Sequence, residues 1–234
     1  MISLAIARSD GLGPDALARL RATVPASRRL RSEGYLRRVD RDASIVAFAL
    51  LVHQWAALDA RPLPDVVAGE HGKPCFARDV GWHFNLTHDA SVCASVLAPV
   101  PVGVDVQARV PFDGDLFERI AAPGELPLRG ALAAHDDLSL LWTRKEAVVK
   151  RTGRGLSTPL DAVDTWSATD VLSLSHDLLG VRVSVSAAGW SAADLAVGLR
   201  VHDLVVDPDG SFVPARGPLP RRVRMADLEP ALAA

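Results

Sequence analysis

The sequence predicts an α+β fold built as two halves of about 110 residues each. Three observations carry that prediction. The chain has 234 residues, 49% of them hydrophobic and 23% charged, enough to bury a good core in one large domain or two smaller ones. Strand-like and helix-like segments alternate along it, and the pattern starts afresh near Pro111. Pro- and Gly-rich breaks separate the segments, and no short-period repeat is visible.

Taken in order, "ISLAIA" reads as a strand, and "GPDALARLRATV" has helical spacing with Pro14 and Asp15 at its start. Residues 40–58 form a buried helix by the run of Ile45, Val46, Phe48, Ala49, Leu50, Val52 and Trp55. After the loop "ARPLPDVVAGEHGKP", the segments "WHFNLTHD", "ASVCASVLA" and "VGVDVQ" read as strands. The second half has helices around "GDLFERIAA" and "DDLSLLWTRKEAVVKR". Strands return at "LSLSHDL", "GVRVSVSAA", "LAVGLRVHDL" and "VVDPDGSFV". The boundaries are therefore 1–110 and 111–234, with a loosely held tail expected from about Pro214.

Charge and cysteine content narrow the class. A net charge of −2 gives no global pull toward nucleic acid or anionic lipid, so neither partner is expected and any anion must be held by a local cluster. Two cysteines, Cys75 and Cys93, fit a reducing compartment and no disulfide framework. The first residues hold only a short apolar run without a cationic segment before it, and no stretch is long and apolar enough to span a bilayer. A cytoplasmic protein is expected, and the match of Asn85-Leu86-Thr87 to a glycosylation acceptor is read as chance.

The choice of cation is informative. Of 26 cationic side chains only three are lysines, Lys73, Lys145 and Lys150, and two of these lie in "WTRKEAVVKRTGRGL". Asp136 and Asp137 suit the start of that helix and Gly153 and Gly155 its end. Trp142, Glu146 and Lys150 recur at intervals of four, on one face. A Glu–Lys pair supporting an exposed helix by about 0.2–0.5 kcal/mol explains the spacing, but arginine would serve as well. A lysine is a compact point charge suited to one phosphate oxygen in a tight site, so the census favours phosphate contact.

Along "VGVDVQ", alternation puts Val102, Val104 and Val106 on an apolar side and Gly103, Asp105 and Gln107 on the other. Asp105 with Glu146 could hold a Mg²⁺, an ion that takes one or two carboxylates together with waters and substrate phosphates. An ordinary edge aspartate is the competing reading. Gly72, Lys73 and Pro74 read as a rigid turn presenting a lysine, and Thr87 and His88 close a strand with a hydroxyl and an imidazole. Upstream, "RRLRSEGYLRRVDR" gathers Arg28, Arg29, Arg31, Arg37, Arg38 and Arg41, a solvated helix face from which a subset could hold a terminal phosphate.

Together "GKP…FNLTH", "GVDVQ" and "WTRKEAVVK" with the following "GRGLSTPL" resemble the 4′-phosphopantetheinyl transferases of the large surfactin-synthetase-activating type, over about Pro25 to Leu199. The family pattern is a G-[VI]-D-[VI]-E strand and a W-x-x-K-E-x-x-x-K helix. The resemblance implies a monomeric pseudo-dimer of two α+β halves. Each half would be a small, mostly antiparallel sheet with a packed long helix, and coenzyme A would bind between them. It implies transfer of phosphopantetheine from coenzyme A to a serine of an acyl or peptidyl carrier protein. It implies Mg²⁺ on Asp105, Gln107 and Glu146, and catalytic roles for Asp105, Glu146 and Lys150. Coenzyme A would be bound by Arg28, Arg31, Arg41, Gly72, Lys73, Pro74, Thr87, His88, Lys145 and Lys150. Gln107 departs from the pattern, which has glutamate there, and takes a charge from the site. Carrier docking is expected beside the cleft; residues 111–137 fit the family's variable region, where docking surfaces lie, but Phe112, Leu116, Phe117 and Ile120 there read as core. A non-catalytic coenzyme A-binding homologue and a Mg²⁺-dependent nucleotide phosphohydrolase are the alternatives.

Overall fold

Strand β1 (Ile2–Arg8) opens the chain, followed by helices α1 (Pro14–Thr23), α2 (Ala26–Glu33) and α3 (Arg38–Leu58). A short hairpin, β2 (Val66–Ala68) and β3 (Pro74–Phe76), leads to β4 (His83–Asp89), β5 (Val92–Ala98) and β6 (Val102–Ala108). Then come α4 (Gly114–Ile120), a 3₁₀ turn over Pro123–Leu128, α5 (Arg129–Ala134), and α6 (Ser139–Thr152), which carries the lysines. The chain ends with β7 (Val171–His176), β8 (Val181–Ala187), α7 (Ala192–Gly198), β9 (Leu199–Val206), β10 (Phe212–Pro214) and β11 (Arg221–Val223). This computed structural model describes residues 1–59 and 61–223.

The fold is α+β, as the alternation of segments predicts. One sheet has the order β10-β9-β1-β5-β4 and the other β11-β7-β8-β6. All pairings in both are antiparallel except β1 with β9. Ile2, Leu4 and Ile6 of the first sheet meet Val102, Val104, Val106, Val183 and Val185 of the second in a shared core. The apolar side of "VGVDVQ" is thus buried as alternation requires. Helix α3 packs on the outer face of the first sheet through Ile45, Phe48 and Leu51 against Ala5, Ala7 and Leu97. Each sheet takes strands from both sides of residue 110: β6 joins the second, β9 and β10 the first.

Helix α6 lies on the outer face of the second sheet, and Gly103 is what lets it lie so close. A Cβ there would stand 2.0 Å from the Ala147 carbonyl oxygen and 2.4 Å from the Arg151 nitrogen, both helix backbone. Gly103→Ala is therefore expected to force α6 off β6 and to cost about 3 kcal/mol or more, measured by urea unfolding. The helix ends where Gly153 takes a left-handed conformation, φ 75°.

Three expectations are corrected, the first being that residues 205–213 are not one strand: the chain turns over 207–211 between β9 and β10, which pair antiparallel. Residues 195–204 do not form one strand: α7 precedes β9 because Ser191 and Asp194 close a capping box, the serine hydroxyl accepting from the Asp194 amide and the carboxylate from the Ser191 amide. The tail expected to be loose from Pro214 includes β11, which pairs with β7; its remainder, from 224 on, lies outside the described residues.

Candidate active site

The edges of the two sheets run side by side at β4 and β6, and side chains stitch them. Three residues of β4 spaced by two, Asn85, Thr87 and Asp89, point across. Asn85 Oδ1 accepts from the Val104 amide at 2.9 Å, Thr87 Oγ1 donates to Asp105 Oδ1 at 3.0 Å, and Asp89 Oδ2 accepts from the Gln107 side chain and the Ala108 amide, both at 2.7 Å. Residues from "NLTHD" and "GVDVQ", remote in sequence, therefore share one seam.

Helix α6 delivers Lys150 to that seam. Its ammonium pairs with Asp105 Oδ1 at 2.5 Å and lies 3.2 Å from Thr87 Oγ1. The other Asp105 oxygen, Oδ2, is buried without a hydrogen-bond partner. A buried carboxylate oxygen so placed is costly unless something cationic meets it. Burial raises the Asp105 pKa, against the pull of Lys150. One helical turn before Lys150, Glu146 is also raised by burial, with Lys150 opposing and the Asp105 charge adding to the rise. Two carboxylates and a lysine thus act on one another in a partly desolvated space.

Among the described residues no group of three or more His, Cys, Asp or Glu is arranged to hold a metal ion. Asp105, Glu146 and the neutral Gln107 nevertheless suit Mg²⁺, which needs few protein oxygens when phosphates and water complete its shell. The unpartnered Asp105 Oδ2 is the observation that makes the fit specific.

Beside the seam is a concavity of about 310 Å³ lined by the expected Arg28, Arg31, Pro74, Thr87, His88 and Lys150. Tyr35 and Leu86 line it too and escaped the sequence reading; Tyr35 stands edge-on to His88 with ring centroids 5.3 Å apart. Arg28 is half-buried with its Nε unpartnered, and its guanidinium lies over the Phe48 ring at 6.0 Å. Burial lowers its pKa, since a desolvated guanidinium holds its charge less favourably. Burial likewise lowers that of His88. A larger hollow of about 660 Å³, bounded by residues such as His53, Leu58, Leu172 and Leu199, has none of the expected residues among the described residues of its lining. Chemistry, and not size, identifies the smaller one.

Four expected ligands, Arg41, Gly72, Lys73 and Lys145, are not brought there. Lys145 is fully buried: its ammonium pairs with Glu125 at 2.5 Å and donates to the Leu160 and Val163 carbonyls, using all three N–H groups. Lys73 donates to the carbonyls of Val102 at 2.9 Å and Arg151 at 3.1 Å, tying β6 to the end of α6, and burial lowers its pKa to about 8. Arg41 donates to the Tyr35 and Leu36 carbonyls and holds the α2–α3 connection. In this structure the ammonium groups of Lys73 and Lys145 meet backbone carbonyls, and a compact ammonium suits such a pinch as well as a phosphate. Gly72 does form the turn expected of it, with φ 79°, in the hairpin that presents Lys73.

The raised Glu146 pKa fixes the sign of a pH effect. A carboxyl with a raised folded-state pKa contributes stability that is complete below about 4.5, its unfolded value, and is lost as pH rises through the folded value. In chelator, Glu146→Gln is expected to melt higher than the parent at neutral pH, with the gap closing on acidification. A gap that widens toward acid would contradict this placement of Glu146.

A seam of Asp, Glu and Lys beside a basic hollow is the equipment of a protein that handles phosphoryl groups. A profile of the 4′-phosphopantetheinyl transferase superfamily matches residues 101–182, which contain β6 and α6. The chain is 34% identical over 130 residues to the 4′-phosphopantetheinyl transferase AcpT of Salmonella typhimurium, covering 52% of this chain and 67% of that protein. It is 33% identical over 100 residues to the 4′-phosphopantetheinyl transferase ffp of Bacillus subtilis, 41% of this chain and 44% of that one. A second Bacillus subtilis 4′-phosphopantetheinyl transferase is 28% identical over 153 residues, 62% and 66%. The chain belongs to the 4′-phosphopantetheinyl transferase superfamily. Against the two Bacillus subtilis relatives the match spans between about half and two thirds of their length.

Proposed function

We propose that the protein transfers the 4′-phosphopantetheine group from coenzyme A to a serine of an acyl or peptidyl carrier protein, releasing 3′,5′-adenosine bisphosphate. The observation that carries this is Asp105, held by Lys150 and Thr87 through one oxygen with the other buried and unpartnered, at the rim of a basic hollow. Family membership and the activity of the relatives support it.

In this reading Arg28 and Arg31 bind the nucleotide phosphate of coenzyme A, with Thr87, His88 and Pro74 shaping the wall beside them. Asp105 and Glu146, with Gln107, hold a Mg²⁺, which when bound would neutralise charge on the diphosphate oxygens. Lys150 stays at the reacting phosphate and meets charge on the bridging oxygen. The serine oxygen bonds to the β-phosphorus as the bond from that phosphorus to the bridging oxygen breaks. The serine proton passes to Glu146, the carboxylate one helical turn before Lys150. A monomeric pseudo-dimer goes with this reading, each sheet carrying one long helix on its outer face, while β6, β9 and β10 cross the division expected between 1–110 and 111–234. A cytoplasmic location goes with this reading. Among the described residues no helix is long and apolar enough to cross a membrane.

The test is mass spectrometry of apo carrier proteins of several classes after incubation with coenzyme A and Mg²⁺. A gain of one phosphopantetheine on the serine supports the reading. Release of inorganic phosphate without a carrier would favour hydrolysis, and coenzyme A binding without either product an accessory role.

A further inference from the structure

Asp89 has no part in the chemistry above, yet it touches the one position where the site departs from the family pattern. Its Oδ2 accepts from the Gln107 side-chain nitrogen and from the Ala108 amide, each at 2.7 Å. A carboxylate only accepts, so the Gln107 amide must turn its nitrogen toward Asp89. The amide oxygen is then the end left for a cation, on the strand face that Gln107 shares with Asp105. The negative charge absent from position 107 is therefore present on the neighbouring strand.

We propose that Asp89 is a positioning residue of the metal site: β4 contributes the charge that Gln107 lacks, and the Asp89 carboxylate locks the Gln107 amide with its oxygen available to the divalent ion. This rests on the reading of Asp105 and Glu146 as the cation site. Groups that orient a metal ligand commonly matter tenfold or more to metal affinity. The arrangement also makes residues 89 and 107 interdependent. A glutamate at 107 would place a second carboxylate where a hydrogen bond now joins the pair, and like charges that close repel. Restoring the family's glutamate alone is thus harmful here, and harmless once Asp89 is neutral.

Four proteins test this: the parent, Asp89→Asn, Gln107→Glu and the double variant. Each is titrated with Mn²⁺ alone, the free ion followed by EPR, and each is melted in chelator. Asp89→Asn is expected to weaken Mn²⁺ about tenfold. Gln107→Glu is expected to melt lower than the parent without binding more tightly, and the double variant to recover both stability and affinity. Tighter binding by Gln107→Glu alone, with Asp89→Asn silent, overturns the proposal. So does an Asp89→Asn protein that melts lower but binds Mn²⁺ normally, since Asp89 is then structural only. If the parent binds no Mn²⁺, the cation site itself fails and the proposal with it; the melting cycle then still reports whether residues 89 and 107 are coupled as a structural contact.

Discussion

Asp105→Ala is expected to lower kcat/KM for phosphopantetheine transfer by about 10³-fold or more, whereas Gln107→Ala lowers it by less than about tenfold. The asymmetry follows from the geometry. Asp105 is the buried carboxylate that Lys150 and Thr87 grip, and its Oδ2 is buried without a hydrogen-bond partner. Its loss removes the proposed metal ligand and releases Lys150 together. Gln107 is half-buried, neutral and already occupied by Asp89 through its nitrogen. Steady-state kinetics at saturating Mg²⁺, beside melting temperatures of both variants, reads the difference. Equal losses would mean that the metal is not where Asp105 places it.

Glu125→Ala is expected to destabilise the fold by about 3–5 kcal/mol, because it leaves the Lys145 ammonium buried and unpaired. Both side chains are wholly inaccessible. Glu125 also accepts from the Thr165 amide and hydroxyl at 2.7 Å and from the Ala122 amide at 2.8 Å, so one carboxylate ties the 3₁₀ turn, the loop after α6 and α6 itself. Replacing both members, Glu125→Leu with Lys145→Met, should recover part of the loss, although the Thr165 and Ala122 amides stay unsatisfied. Urea unfolding of the two variants measures this. A single variant within about 0.5 kcal/mol of the parent would show that the pair is not sealed from water.

How much of this was legible in the sequence depends on which physical signal a residue carries. Asp105, Glu146 and Lys150 could be read because strand and helix periodicities place them on definite faces, and because "GVDVQ" and "WTRKEAVVK" occur in order. Thr87 and His88 came from the same kind of motif. Direction around a helix is harder to read than identity. Lys145 stands one residue, about 100°, from Glu146, and α6 is covered by the sheet on one side and by the chain at 160–165 on another. Counting lysines could not show which way each one faces. Asn85 and Asp89 were within reach: they share the alternation of Thr87, and a strand edge using one such residue to cross a seam can use its neighbours at two-residue spacing. The α7 helix was masked by the apolar run "LAVG", although its capping box was present in "SAAD". Which strands share a sheet was not legible at all, because the pairing of β1 with β9 joins residues almost two hundred positions apart.

Crystals of the protein with coenzyme A and Mn²⁺, measured at the manganese absorption edge, test the central claim most directly. The predicted result is an anomalous peak bonded to carboxylate oxygens of Asp105 and Glu146, with the coenzyme A diphosphate beside Lys150. A peak elsewhere, or a diphosphate bound away from the seam between β4 and β6, would contradict the account.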